Sequence, residues 1–146
     1  MNIPVAHPDF LSYRVKRLHM LVAQRLNDVL KPYGLARSQW QVLSRVSRAG
    51  VLSQRELQLA MQVEPATLTG IIDALAAKGW IERTESEQDK RCRVLHLTDA
   101  GRDKMASIPD PHEIVETQMV AGLSEKDRAA VERALTTMIR NLEERS

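Results

Sequence analysis

The sequence is poor in cysteine, in aromatic residues, in net charge and in long apolar runs, and each shortage removes a class of function. With one cysteine among 146 residues, Cys92, no disulfide can form within the chain, which agrees with a reducing compartment. One Phe, two Trp and two Tyr make up 3% of the residues, too few for the stacked platform on which proteins hold single-stranded nucleic acid. Duplex recognition needs no such platform. The formal net charge is only +2, from 21 Lys and Arg against 19 Asp and Glu, so a case for a nucleic-acid partner must rest on where the basic residues stand. No stretch approaches the roughly 18 consecutive apolar residues of a membrane span, and no membrane partner is expected. Met1-Asn2-Ile3-Pro4 lacks the basic-then-apolar order of a signal peptide, which makes the expectation a cytoplasmic protein.

The groups that catalysis needs are missing too. There is no Gly-rich phosphate loop, no nucleophile elbow and no credible triad. His7, His19, His96 and His112 are scattered, and Cys92 with His96 is too small a set for zinc. No metal, no cofactor and no enzyme activity are expected.

What is present is 43% apolar residues, set largely at helical spacing. After a leader with Pro4 and Pro8, Leu11, Val15, Leu18, Val22, Leu26 and Val29 predict an amphipathic helix ending near Lys31-Pro32. Ser38 is expected to cap a second helix that turns Trp40, Leu43 and Val46 inward and stops at Gly50. Ser53-Gln54-Arg55-Glu56 has the form of a capping box and starts a third helix with Leu57, Ala60 and Met61. Gln62-Val63-Glu64 then leads to Pro65, a favourable first-turn residue, and Leu68, Ile71, Ile72 and Leu75 predict a fourth helix reaching Gly79. Two helices separated by so tight a turn form a helix-turn-helix.

Residues 80–84 read as a strand, 85–90 as a polar loop and 91–97 as a returning strand, together a charged hairpin. Thr98-Asp99-Ala100-Gly101 starts a fifth helix, which Pro109 and Pro111 interrupt before a further helical stretch from about His112 to Ala121. Gly122 ends that stretch. Ser124-Glu125-Lys126-Asp127 caps a last helix with the stripe Val131, Leu135, Met138 and Leu142. No internal repeat or low-complexity tract points to a second domain. The fold class expected is mainly α with a small β-hairpin wing, a winged helix-turn-helix framed by N- and C-terminal dimerisation helices. The apolar stripes of the first and last helices are hard to bury inside one small chain, which favours a homodimer over packing within the chain alone.

A helix fits the major groove of B-DNA, and a narrow ribbon bearing Arg can enter the adjacent minor groove. Thr67, Thr69 and Gly70 lie off the buried stripe of the fourth helix and are candidate base readers, through backbone and hydroxyl groups. Ser38, Ser53, Gln54, Pro65 and Ala66 join them as candidate DNA contacts, as do Arg83, Lys90, Arg91 and Arg93 from the hairpin. By the two-residue period of a strand, Asp89, Arg91 and Arg93 share one face, with Lys90 and Cys92 on the other. Asp89 makes little sense as a DNA contact; its expected role is to orient Arg91 or Arg83 by a bidentate pair, against the plain alternative of a solvated surface salt bridge. Cys92 as a redox switch is the remaining idea for the wing, since nearby arginines favour a thiolate.

From about Leu11 to Glu143 the sequence resembles the MarR family of winged-helix regulators. The most specific element is Asp89-Lys90-Arg91 followed by Leu97-Thr98-Asp99-Ala100-Gly101, supported by residues 35–43 and 75–83. Leu30-Lys31-Pro32 and Trp40 are similar to the SlyA-like branch. The resemblance implies one domain over 1–146, with a DNA-binding lobe at 35–101 and dimerisation helices at 9–32 and 112–144. It implies a homodimer that sets two recognition helices in successive major grooves and two wings in flanking minor grooves of a near-palindromic duplex. It also implies a repressor that a small aromatic or phenolic acid releases from DNA, with Arg17 holding the carboxylate and Met20 and Trp40 offering an apolar face; at helical spacing Met20 and Trp40 are more often plain core, and Arg17 a solvated charge. Two departures stand out. Gly70 occupies a position where many members carry a DNA-contacting Arg, and Pro65 and Ala74 replace positions that are often basic. Residues 108–111, Ile-Pro-Asp-Pro, interrupt a helix that is usually continuous. Peroxide-sensing members use a cysteine near the N-terminal helix, which Cys92 does not match. The rival reading from another class is a winged-helix module that binds protein rather than DNA.

Overall fold

Spacings of three and four between apolar residues become helix throughout the chain, and the breaks fall at Pro, Gly and polar caps. The computed structural model describes residues 10–145; expectations placed on Pro4, His7, Pro8 and the rest of residues 1–9 lie outside the described residues. The chain forms two compact units, Met1–Pro111 and His112–Ser146.

In the first unit α1 (Leu11–Leu30) runs into a 3-10 turn (Lys31–Tyr33) and is followed by α2 (Arg37–Ala49), β1 (Leu52–Ser53), α3 (Gln54–Met61), α4 (Pro65–Ala77), β2 (Ile81–Glu85), β3 (Arg93–Leu97) and α5 (Asp99–Ser107). The cap of α2 corrects the expectation for Ser38: Ala36 occupies the N-cap, and Ser38 lies inside the first turn. The free N–H groups there are taken by Gln39 Oε1, which accepts from Ala36 N–H at 3.1 Å, and by Asn27 Oδ1 of α1, which accepts from Arg37 N–H at 2.9 Å. The capping box of α3 forms in both directions. Ser53 Oγ accepts from Glu56 N–H at 3.1 Å and Glu56 Oε2 accepts from Ser53 N–H at 2.9 Å. These bonds, the Ser53 backbone first and its hydroxyl second, hold the Glu56 carboxyl below its ordinary value.

The hairpin is part of a three-stranded antiparallel sheet in the order β1-β3-β2, with Leu52 opposite Leu95 and Ile81 opposite Leu97. The third strand, β1, is two residues long, too short to leave a period in the sequence. The returning strand begins at Arg93 instead of Arg91, and Trp80 precedes β2. Leu43, Val46, Leu57, Leu68, Ile72, Leu75 and Leu95 are fully buried and form one core with Leu30, Leu35, Trp40, Ile81 and Ile108. Each such side chain contributes about 1.5–3 kcal/mol on removal from water.

The entry to α5 is stitched to the end of α4. Thr98 Oγ1 accepts from Gly101 N–H at 3.0 Å and donates to the Gly79 carbonyl at 2.5 Å, while Thr98 N–H donates to the Trp80 carbonyl at 3.1 Å. A Cβ at position 101 would lie 2.0 Å from that carbonyl oxygen, so only glycine fits. Lys78 and Lys104 ammonium groups lie 4.9 and 5.0 Å from the Trp80 ring centre.

α6 (Pro111–Met119) begins with the proline that closes the first unit, and in the second unit α7 (Glu125–Glu143) is capped by Ser124, whose hydroxyl accepts from Asp127 N–H at 3.1 Å. The break expected at residues 108–111 is present: α5 closes at Ser107. Arg128 pairs with Glu116 and, one turn along its own helix, with Glu132. Among the described residues no helix is long and apolar enough to cross a membrane.

Candidate nucleic-acid interface

The inner face of α4 is locked into the core by Leu68, Ile72 and Leu75, and the outer face of its first two turns is therefore presented outward. Pro65, Ala66, Thr67, Thr69 and Gly70 are all exposed there. A Cβ at Gly70 would meet nothing within 4 Å, so the absence of a side chain at this point serves no packing inside the chain. Ser53 and Gln54, at the start of α3, are half-buried, and Ser53 is occupied by the capping box. Gln54 reaches α4: its Nε2 donates to Thr69 Oγ1 at 3.1 Å, and Thr69 Oγ1 in turn donates to the Pro65 carbonyl at 3.0 Å.

Arg83 differs from its expected place. Ile81 turns inward, so by the two-residue period Arg83 points to the same face of the sheet, opposite Leu95. Its side chain is 22% exposed and pairs with Asp73 on α4. Asp73 escaped the sequence reading. Its signal was available: an arginine two residues after an inward isoleucine needs a carboxylate, and α4 supplies one. The ion pair ties the wing's base to the middle of the recognition helix. Among the described residues no ion pair joins Arg83 to Asp89.

The wing tip is a folded loop, and the strand-face argument for Asp89, Arg91 and Arg93 does not hold because residues 89–92 precede β3. Asp89 Oδ1 accepts from Arg91 N–H at 3.0 Å, the Asp89 carbonyl accepts from Cys92 N–H at 2.9 Å, and the Cys92 carbonyl accepts from Ser86 N–H at 2.9 Å. Asp89 thus shapes the turn through backbone groups. Its contact with the Arg91 guanidinium is a single one at 3.6 Å rather than a bidentate pair, and that side chain remains 94% exposed. A pair so exposed stabilises by about 0–1 kcal/mol. No ion pair among the described residues involves Lys90 or Arg93, and both are exposed, so the tip offers three cations to an anionic partner. Cys92 is exposed, with Sγ 3.8 Å from Asp89 Oδ2. On the other face of the hairpin His96 Nε2 lies 3.1 Å from Glu82 Oε2 across the strands.

Arg17, Met20 and Trp40 fall in different surroundings. Trp40 is 7% exposed and packs in the core, whereas Met20 is 60% exposed and Arg17 also lies on the open side of α1. An open depression of about 350 Å³ lies further along, lined by Asn27, Asp28, Lys31, Gly34, Leu35 and Ala36, and includes none of the three. Among the described residues no group of three or more His, Cys, Asp or Glu is placed to hold a metal ion.

Known proteins resemble this chain in sequence and in fold. The model of the MarR family matches residues 35–93, from just before α2 to the start of β3. The HTH-type transcriptional regulator YwoH of Bacillus subtilis is 31% identical over 120 residues, covering 82% of this chain and 87% of the relative. The multiple antibiotic resistance protein MarR of Salmonella typhimurium is 36% identical over 89 residues, 58% of this chain and 62% of that protein. A crystal structure of a cysteine-to-serine mutant of MarR from E. coli complexed with operator DNA superposes with a TM-score of 0.76 at 24% identity, covering 88% of this chain and 92% of that one.

Proposed function

We propose, since this chain belongs to the MarR family, that it is a dimeric transcription regulator, a repressor acting in the cytoplasm, that binds a near-palindromic duplex operator. One observation carries the reading: an exposed face on the first two turns of α4, backed by core, joined through Asp73 and Arg83 to a wing whose tip presents Lys90, Arg91 and Arg93. The helix face supplies contacts to base edges, and the tip supplies phosphate and minor-groove contacts. Two-fold pairing sets the half-sites about one helical turn, ~34 Å, apart.

The dimer is supported by apolar residues that neither unit buries. Leu11, Val15, Leu18 and Leu21 on α1, and Val131, Leu135, Ile139 and Leu142 on α7, are all exposed. A second copy of the chain covers these stripes in the proposed state. Of the residues read as an effector site, Arg17 keeps an open guanidinium for a carboxylate, while Trp40 serves the core. A small aromatic acid acting as effector should weaken DNA binding roughly 5–150-fold.

Selection of bound fragments from genomic DNA, followed by anisotropy titrations against salt, tests the reading. Log affinity should fall against log salt with a slope of about −0.9 per phosphate neutralised, and Arg91→Ala should weaken binding and flatten that slope by about one per tip. Failure to select any fragment, or salt-independent binding, would leave the lobe as a protein-binding module.

A further inference from the structure

Thr69 stands on the exposed face of α4 with its hydroxyl oxygen engaged twice. It donates its one proton to the Pro65 carbonyl at 3.0 Å and accepts from Gln54 Nε2 at 3.1 Å. The amide end is set by this network: with the hydroxyl proton directed to Pro65, only the NH₂ of Gln54 can face the oxygen. A hydroxyl so occupied has no proton for the N7, O6 and O4 acceptors that the major groove presents. With the oxygen folded back on α4 and held toward α3, the branch left to face outward is the methyl group. Gln54 is half-buried and reaches from a different helix, so the rotamer is held from outside α4 as well as within it.

We propose that Thr69, fixed in this rotamer by Gln54, reads DNA through its methyl group and selects a thymine in each half-site by contact with the C5-methyl. The inference rests on the DNA-binding reading and names its specificity chemistry. Thr69 is the contacting residue; Gln54 is a positioning residue.

The test uses the full chain and duplexes it has selected, remade with deoxyuridine replacing one thymine at a time, which deletes the methyl and leaves the base pairing intact. At one position per half-site the wild-type protein should lose affinity about fourfold, the worth of one buried methyl. Thr69→Val keeps the methyl and should show the same loss. Thr69→Ser, which removes the methyl from both protomers, should bind the thymine duplex as weakly as the wild type binds a duplex with both half-site thymines replaced, and should be indifferent to the replacement. Gln54→Ala frees the rotamer and should show a smaller loss than the wild type. The inference is overturned if no deoxyuridine position weakens the wild type, or if Thr69→Ser retains the whole loss. Specific but methyl-blind binding defeats this inference alone; absence of specific binding to every duplex defeats the DNA-binding reading with it.

Discussion

The lobe built on α2 to α5 and the long helices at either end of the described chain use the same apolar spacing to different ends. In the lobe, Leu43, Leu68, Ile72 and Leu75 are wholly enclosed by side chains from the chain's own α2, α4 and sheet. On α7 the equally regular Val131, Leu135 and Ile139 are 49%, 37% and 56% exposed. Periodicity reports that a helix has an apolar side; it does not report whether the chain can cover that side by itself. The lobe is self-sufficient because α4 and the sheet close over α2. A single helix such as α7 has no such enclosure and is stabilised fully only when something else packs on it.

The comparison can be broken most sharply in the core. Leu43→Ala should destabilise the lobe by about 2–5 kcal/mol at every protein concentration, measured by urea unfolding. A loss below about 1 kcal/mol would mean that the lobe is not the closed core described. The next effect concerns two glycines. Gly101→Ala drives a methyl into the Trp80 carbonyl and should destabilise by about 1–3 kcal/mol. Gly70→Ala meets open space in a helix interior, and should instead stabilise by about 0.5–1 kcal/mol while weakening DNA binding. Equal responses at the two sites would refute the division between a glycine needed for packing and one left open for a partner.

For the terminal stripe, Leu135→Ala should shift the monomer–dimer midpoint upward about tenfold in sedimentation experiments, as expected for roughly 1.4 kcal/mol of lost burial. Unfolding of the separated protomer should change by only a few tenths of a kcal/mol, since the side chain is already partly in water. The smallest effect belongs to Glu56. Its folded carboxyl titrates below the ordinary value of 4.5, so the capping bond contributes above that pH and is lost as pH falls through the lower, folded value. Protection of Ser53 N–H, the donor to that carboxylate, should fall below about pH 4.5 in the wild type once the intrinsic pH dependence of exchange is divided out. Glu56→Gln, which keeps the bond without the charge, should lose that dependence.

Recognition of the fold needed little more than local pattern. The capping box at Ser53, the proline at the head of α4 and the paired prolines after α5 all act within about four residues of chain, and each appears where the sequence places it. The failures have one character. A hydroxyl makes Ser38 the natural cap by side-chain chemistry, yet Asn27 from α1 and Gln39 serve the N–H groups and let the helix begin earlier. Alternation of side chains continues in the sequence back to Arg91, whereas Asp89 folds those residues into a turn.

Amphipathic helices, the caps of α3, α5 and α7, the tight turn between α3 and α4 and the basic tip of the wing are consequences of side chains acting on their own neighbourhood, and sequence alone determined them. Tertiary structure decided that Arg83 meets Asp73, that Gly101 lies against Trp80, and that Gln54 occupies the Thr69 hydroxyl. Those contacts join residues 10 to 21 positions apart in chain, so their existence depends on how whole elements pack and not on any spacing within one of them.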